Sequence, residues 1–167
     1  AGNTVLGESA LDASVSGGDN TAIGKNALTA LTSGSFNTAV GSAVLDAITT
    51  GSRNTAVGYG SLSNSTTGAG NTAIGMQALV ANTTSDNNTA VGRDAMVSNS
   101  TGTGTALGAF SLDANTTGTA NTAIGESALG ANTTAANNTA VGKDALKLNT
   151  TGASNVAVGA NALDSNT

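Results

Sequence analysis

The stretch Asn71 to Asn87, NTAIGMQALVANTTSDN, is the template on which the rest of the chain is written. Copies begin at Asn3, Asn20, Asn37, Asn54, Asn71, Asn88, Gly104, Asn121, Asn138 and Asn155: ten units of seventeen residues, apart from one of sixteen and a truncated last one. A short fixed period is the signature of a solenoid, in which each unit is one coil stacked on its neighbour. Residues are therefore compared by their position within the unit, counted from one at each start.

The composition agrees with that reading. Two Phe, one Tyr and no Trp among 167 residues are too few large apolar groups for a conventional globular core, so order has to come from repetition. Charged residues make up only 9%, which argues against a charge-solvated disordered chain. A net charge of −5 with five basic residues leaves no electrostatic footprint for nucleic acid or an anionic membrane surface. No apolar run is long enough to insert directly into a membrane. The chain lacks Cys, and its first residues lack the pattern of a signal peptide. It is read as one repeat array over residues 1–167, a fragment of a longer fibrous protein.

Positions one to five read Asn-Thr-Ala-[Ile/Val/Leu]-Gly with little variation, as in Asn20 to Gly24 and Asn138 to Gly142. Side chains alternate in a strand, so Thr shares a face with the aliphatic residue and Asn with Ala. The aliphatic residue, as the larger apolar group, is expected to point inward and to take Thr with it. Asn20, Asn37, Asn54, Asn71, Asn88, Asn121 and Asn138 are expected to stack as a hydrogen-bonded amide ladder. Gly24, Gly41, Gly58, Gly75, Gly92, Gly125 and Gly142 suit a corner with positive φ or a close backbone approach. Positions eight and nine are small then large, as in Ala78-Leu79, and are expected to form a second short strand, with a helical turn as the alternative. Positions twelve to fifteen, typically Asn-Thr-Thr-Gly, have the composition of a polar return turn. All fifteen charges fall at positions six, seven, ten, sixteen and seventeen, which are therefore expected to face water.

Position three is Ala in nine units and Val5 in the other, with never a polar residue. Both faces of the strand are therefore expected to be covered. Two large aliphatics per coil are few against the entropy of ordering seventeen backbones, so association of copies through the Ala face is expected.

The Asn-Thr-Ala-[Ile/Val]-Gly core, with a following x-x-Ala, resembles the head repeats of YadA-like trimeric autotransporter adhesins and similar arrays in phage tail fibres. The family motif reads approximately Asn-Ser-Val-Ala-Ile-Gly, and the resemblance covers five or six positions in each of the ten units. It implies a left-handed parallel β-roll, a homotrimer, an extracellular site on a cell or virion surface, and a host-surface glycan or protein as partner. The units here are about three residues longer than the family's usual coil, and Asn-Thr-Thr-Gly fills the extra length.

Chemistry is sparse. The absence of His and Cys removes imidazole bases, thiolate nucleophiles and the usual zinc sets. No carboxylate pair of the glycosidase kind is assembled by neighbouring coils, and the glycine-rich aspartate pattern of calcium-binding β-rolls is missing. No catalytic role, cofactor or metal is expected. Three features remain. Phe36, Tyr59 and Phe110 are candidate ligand contacts, set against chance substitution or packing between chains. Asn64, Asn82, Asn87, Asn99, Asn115, Asn132, Asn137 and Asn149 open Asn-x-[Ser/Thr] triplets, for which a turn role is the default. Hydroxyls at Thr49, Thr66, Thr83, Ser100, Thr116, Thr133 and Thr150 form a rank that could bind ice, set against a structural return. The leading expectation is an all-β parallel β-solenoid (β-roll) of ten roughly 17-residue coils, assembled as a homotrimeric fibre. Its function is that of a structural or adhesive fibre segment; the alternative is an ice-binding or glycan-binding β-solenoid.

Overall fold

The structure, a computed structural model, describes residues 2–166. Ten short strands form one parallel sheet in sequence order: β1 (Thr4–Leu6), β2 (Thr21–Ile23), β3 (Thr38–Val40), β4 (Thr55–Val57), β5 (Thr72–Ile74), β6 (Thr89–Val91), β7 (Gly104–Leu107), β8 (Asn121–Ile124), β9 (Thr139–Val141) and β10 (Val156–Val158). Like pairs with like throughout: Thr55 lies on Thr72, Ala56 on Ala73 and Val57 on Ile74. The chain is an all-β parallel solenoid with no helix among the described residues. At ~4.8 Å per coil the sheet is about 45 Å long.

The strand's inward and outward faces are the reverse of the expectation. Ala22, Ala39, Ala56, Ala73, Ala90, Ala106, Ala123 and Ala140 are fully buried, together with the Asn at position one. The aliphatic residues point outward with Thr; Ile74 and Ile124 are each 39% exposed and Leu107 is 41% exposed. The reason is the width of the coil. Leu28, Leu45, Leu79, Met96, Leu112, Leu129 and Leu146 at position nine already fill the interior, and they share one core cluster with the strand alanines. A small methyl completes a space that a second large side chain would overfill. The Ala face is thus the inside of each coil, and it cannot be the surface through which copies associate.

Position five is a corner, as its glycines suggest. Their φ values lie between 121° and 139°, and a Cβ on Gly24 would stand 2.2 Å from the Gly41 carbonyl oxygen of the next coil. The segment after it is neither a second strand nor a helical turn. Residues at positions seven and nine adopt left-handed backbone, including Leu28 (φ 56°), Leu79 (φ 54°) and Leu129 (φ 52°). A non-glycine residue there costs roughly 1–2 kcal/mol, and full burial of a leucine, worth ~1.5–3 kcal/mol, offsets it. The backbone stays paired from coil to coil, as in Leu79 N donating to Ala95 O at 3.0 Å.

The return is only partly polar surface. Position twelve points inward from the second coil to the ninth: Leu31, Ile48, Ser65, Asn82, Asn99, Asn115, Asn132 and Asn149 are all buried. The sixteen-residue coil loses the left-handed residue that elsewhere precedes the strand, such as Asn87 (φ 59°) or Asn137 (φ 61°). The sheet register resumes at once, with Thr89 on Thr105.

Candidate functional site: a threonine and aliphatic sheet face

Interior amides hold the coils in register. The Oδ1 of Asn37 accepts the Asn54 backbone N–H at 3.0 Å and its Nδ2 at 3.1 Å, while the Asn54 Nδ2 also donates to the Gly68 carbonyl at 2.9 Å. One side chain thus ties its own coil's return to the strand of the neighbouring coil. Asn20, Asn37, Asn54 and Asn71 repeat this pattern. Asn88 departs from it, because its Nδ2 reaches only the Asp86 carbonyl at 3.5 Å and the next unit begins with Gly104. Asn121 donates to the Ala135 carbonyl, and the Asn138 Nδ2 has no partner.

A second amide column, which the turn-like composition concealed, stands at position twelve. Asn115, Asn132, Asn149 and Asn166 each donate to the Oδ1 of the asparagine one coil before, at 2.9, 3.0, 3.4 and 3.1 Å. Its signal was the invariant three-residue step to position fifteen, whose carbonyl accepts the same Nδ2, as Gly118 does from Asn115. Burial also decides among the glycosylation triplets. Asn82, Asn99, Asn115, Asn132 and Asn149 are sealed inside the coil, whereas Asn64, Asn87 and Asn137 are exposed.

The hydroxyl ranks divide in the same way. At position thirteen, Thr49 donates to the Thr66 carbonyl at 3.1 Å, Thr66 to Thr83 at 3.1 Å and Thr116 to Thr133 at 3.0 Å. Those hydroxyls are spent on clamping adjacent coils. The strand hydroxyls of Thr21, Thr38, Thr55, Thr72, Thr89, Thr105, Thr122 and Thr139 have no protein acceptor among the described residues. They stand in one rank beside the rank of Ile23, Val40, Val57, Ile74, Val91, Leu107, Ile124 and Val141, on a face without a charge.

The three aromatics are not gathered into one patch. Phe36 (57% exposed) stands at position seventeen and Tyr59 (61% exposed) at position six, so they flank opposite edges of the sheet face. Phe110 lies three coils beyond Tyr59, ~14 Å along the axis. Its ring is half-buried beneath the Arg93 guanidinium, 4.3 Å from the centroid, which makes it a packing partner.

The charged positions do face outward, with two qualifications. Lys25 pairs with Glu8 at 3.1 Å and Lys143 with Glu126 at 2.8 Å, in each case between adjacent coils at position six. Lys147 pairs with Asp144 at 2.9 Å, and that hydrogen bond is the main cause holding the Asp144 carboxyl below its ordinary value. Asp46 and Asp113 at position ten are only half-buried, and desolvation raises both above the ordinary carboxylate value. Gly130 leaves a notch of ≈ 200 Å³ lined by Asp113, Lys147 and Leu148, with the Lys147 ammonium already committed to Asp144. Among the described residues no cluster of three His, Cys, Asp or Glu is placed to hold a metal, and no helix is long and apolar enough to cross a membrane.

Comparison with protein-family models, curated proteins and solved structures gives no match. Function therefore rests on the geometry of this chain.

Proposed function

We propose that this chain is a segment of an extracellular fibre on a cell or virion surface, structural or adhesive and without catalytic activity. The observation that carries this reading is the uncharged strip of Thr and aliphatic side chains that runs the length of the sheet. Lone exposed aliphatics are ordinary, but a continuous apolar strip repeated on every coil marks a surface that something covers. Homotrimerisation through this strip replaces the Ala-face association that the buried alanines exclude. Two facing strips about 45 Å long and roughly 12 Å wide would bury on the order of 1,000 Å², which is the area a specific interface needs. Host glycan or protein would then meet the outer coil surfaces, which stay accessible in such an assembly. Cross-linking and mass measurement in solution should give a trimer, and Ile74→Asp with Ile124→Asp should convert it to folded monomers. A folded wild-type monomer at high micromolar concentration would sink the reading.

One observation favours a second reading, ice binding. The strand hydroxyls are unclaimed and repeat once per coil along the sheet, unlike the hydroxyls of Thr49, Thr66 and Thr116 in the return, which are bonded to the next coil. Ice and partner chains cannot occupy the strip together, so the two readings exclude each other. A monomer with thermal hysteresis that is abolished by Thr38→Lys, Thr72→Lys and Thr122→Lys would select ice binding.

A further inference from the structure

We infer that copies of this chain associate in parallel and in register, with the position-seventeen rim of one copy seated against the position-six rim of the next; this rests on the association reading above. Any rotation axis parallel to the solenoid axis brings these two rims together at the same height, whatever the number of copies. The residue at position seventeen precedes each strand and the residue at position six follows its corner glycine, so each rung of the sheet presents one of each at opposite edges.

The pairings this generates are complementary. On the rung of β2, Asp19 of one copy meets Lys25 of the next; both are exposed, and Lys25 makes only the Glu8 pair within its own chain. On the rung of β4, Arg53 meets Tyr59, an exposed ring within reach of a guanidinium. On the rungs of β6 and β9 the amides of Asn87 and Asn137 meet Arg93 and Lys143. No rung places like charges together.

The antiparallel alternative fares worse. A two-fold axis across the sheet turns one copy end for end and brings each rim against its own counterpart. At full overlap Lys25 then faces Lys143, a like-charge contact on an uncharged seam. The complementary set exists only in the parallel arrangement, and it makes the rims the elements that fix register between chains.

A charge-reversal series tests this, made in a Glu8→Gln background so that changing Lys25 breaks no intrachain pair. Sedimentation equilibrium reads association, and circular dichroism confirms that each variant is folded. Asp19→Lys should weaken association by ~5-fold or more, because each contact in the ring becomes a like-charge pair. Adding Lys25→Asp should restore it. If the wild type associates but Asp19→Lys changes nothing, or Lys25→Asp fails to rescue it, the rim pairing is wrong while the association reading stands. If the wild type stays monomeric, the association reading fails first and the rim pairing falls with it.

Discussion

The two halves of the solenoid keep the same sheet but line their interiors differently. From Asn20 to Asn71 the unbroken amide column stands at position one, and position twelve carries aliphatic Leu31 and Ile48. From Asn99 to Asn166 the unbroken column stands at position twelve, and the one at position one is interrupted at Gly104. Among the described residues three buried side-chain polar atoms lack a partner: Ser65 Oγ and Asn82 Oδ1, where the lining changes, and Asn138 Nδ2, in the interrupted column. An interior column can thus be amide or aliphatic, provided that neighbours agree. A hydroxyl set between an aliphatic and an amide, as Ser65 is between Ile48 and Asn82, is left unpaired, and such a buried group costs roughly 1–3 kcal/mol.

The sheet is the part that both halves share, so it should respond alike in each. Ala73→Asp and Ala123→Asp bury an unpaired charge and should each abolish folding, a loss of ~4 kcal/mol or more. Ile74→Asp and Ile124→Asp place the carboxylate on the outer face and should leave a folded, cooperatively melting chain that loses only the stability added by association. Equal losses from Ala73→Asp and Ile74→Asp, followed by circular dichroism, would overturn the face assignment.

The interior columns should respond differently in the two halves. Leu31→Asn sets a single amide beside Ile48 and removes a fully buried leucine, which should cost ~3 kcal/mol. Asn132→Leu leaves the Asn115 Oδ1 without its donor and should cost ~2 kcal/mol. Adding Ile48→Asn to Leu31→Asn should recover part of the loss by pairing the two amides. Further loss instead, in urea denaturation, would show that position twelve of the lower half cannot host a ladder.

Periodicity made the stacking legible because each coil repeats almost every interaction of the one before. Asn-Thr-Ala-Ile-Gly marked the strand and its corner, and the charges at position six marked the outside. Face orientation was not legible, since alternation separates Thr and Ile from Asn and Ala without saying which pair is inside. Size suggested Ile; the space left by the position-nine leucine admits only Ala. The left-handed leucines were hidden for a related reason, because a leucine after a small residue reads as a strand or helix signal unless the tightness of the coil is known. Asn-Thr-Thr-Gly looked like solvent-facing turn, yet its asparagine is core wherever the next coil supplies a matching one. The uncharged strip, now the candidate site, was in plain view at positions two and four and was assigned to the interior.

At the change of lining a smaller gain is available. Ser65 is buried beside Ile48 in the preceding coil and Asn82 in the following one, and its hydroxyl finds neither. Ser65→Ala removes a group that pays desolvation without a hydrogen bond, so stability should rise by up to ~1 kcal/mol, or ~2–4 °C in Tm. A destabilised Ser65→Ala protein would mean that the hydroxyl has an acceptor after all.

The smallest contrast is between Asp46 and Asp113, which hold position ten in the lower and upper halves. Desolvation is the largest cause raising both carboxyls, backbone hydrogen bonds oppose it, and Asp113 alone also feels the negative charge of Asp94. A carboxyl raised in the folded state contributes stability that is fully present below the ordinary value of 3.8 and is lost as pH rises through the folded value. Asparagine cannot ionise, so Asp46→Asn and Asp113→Asn should both melt slightly higher than wild type at neutral pH. Exposure to solvent keeps the effect small. The rise should be greater for Asp113→Asn, because that substitution also relieves Asp94, and both advantages should vanish in acid once the wild-type carboxyls are protonated. Melting curves at neutral and acidic pH decide the matter: an advantage that survives in acid cannot come from ionisation, and an equal gain at the two sites would remove Asp94 from the account.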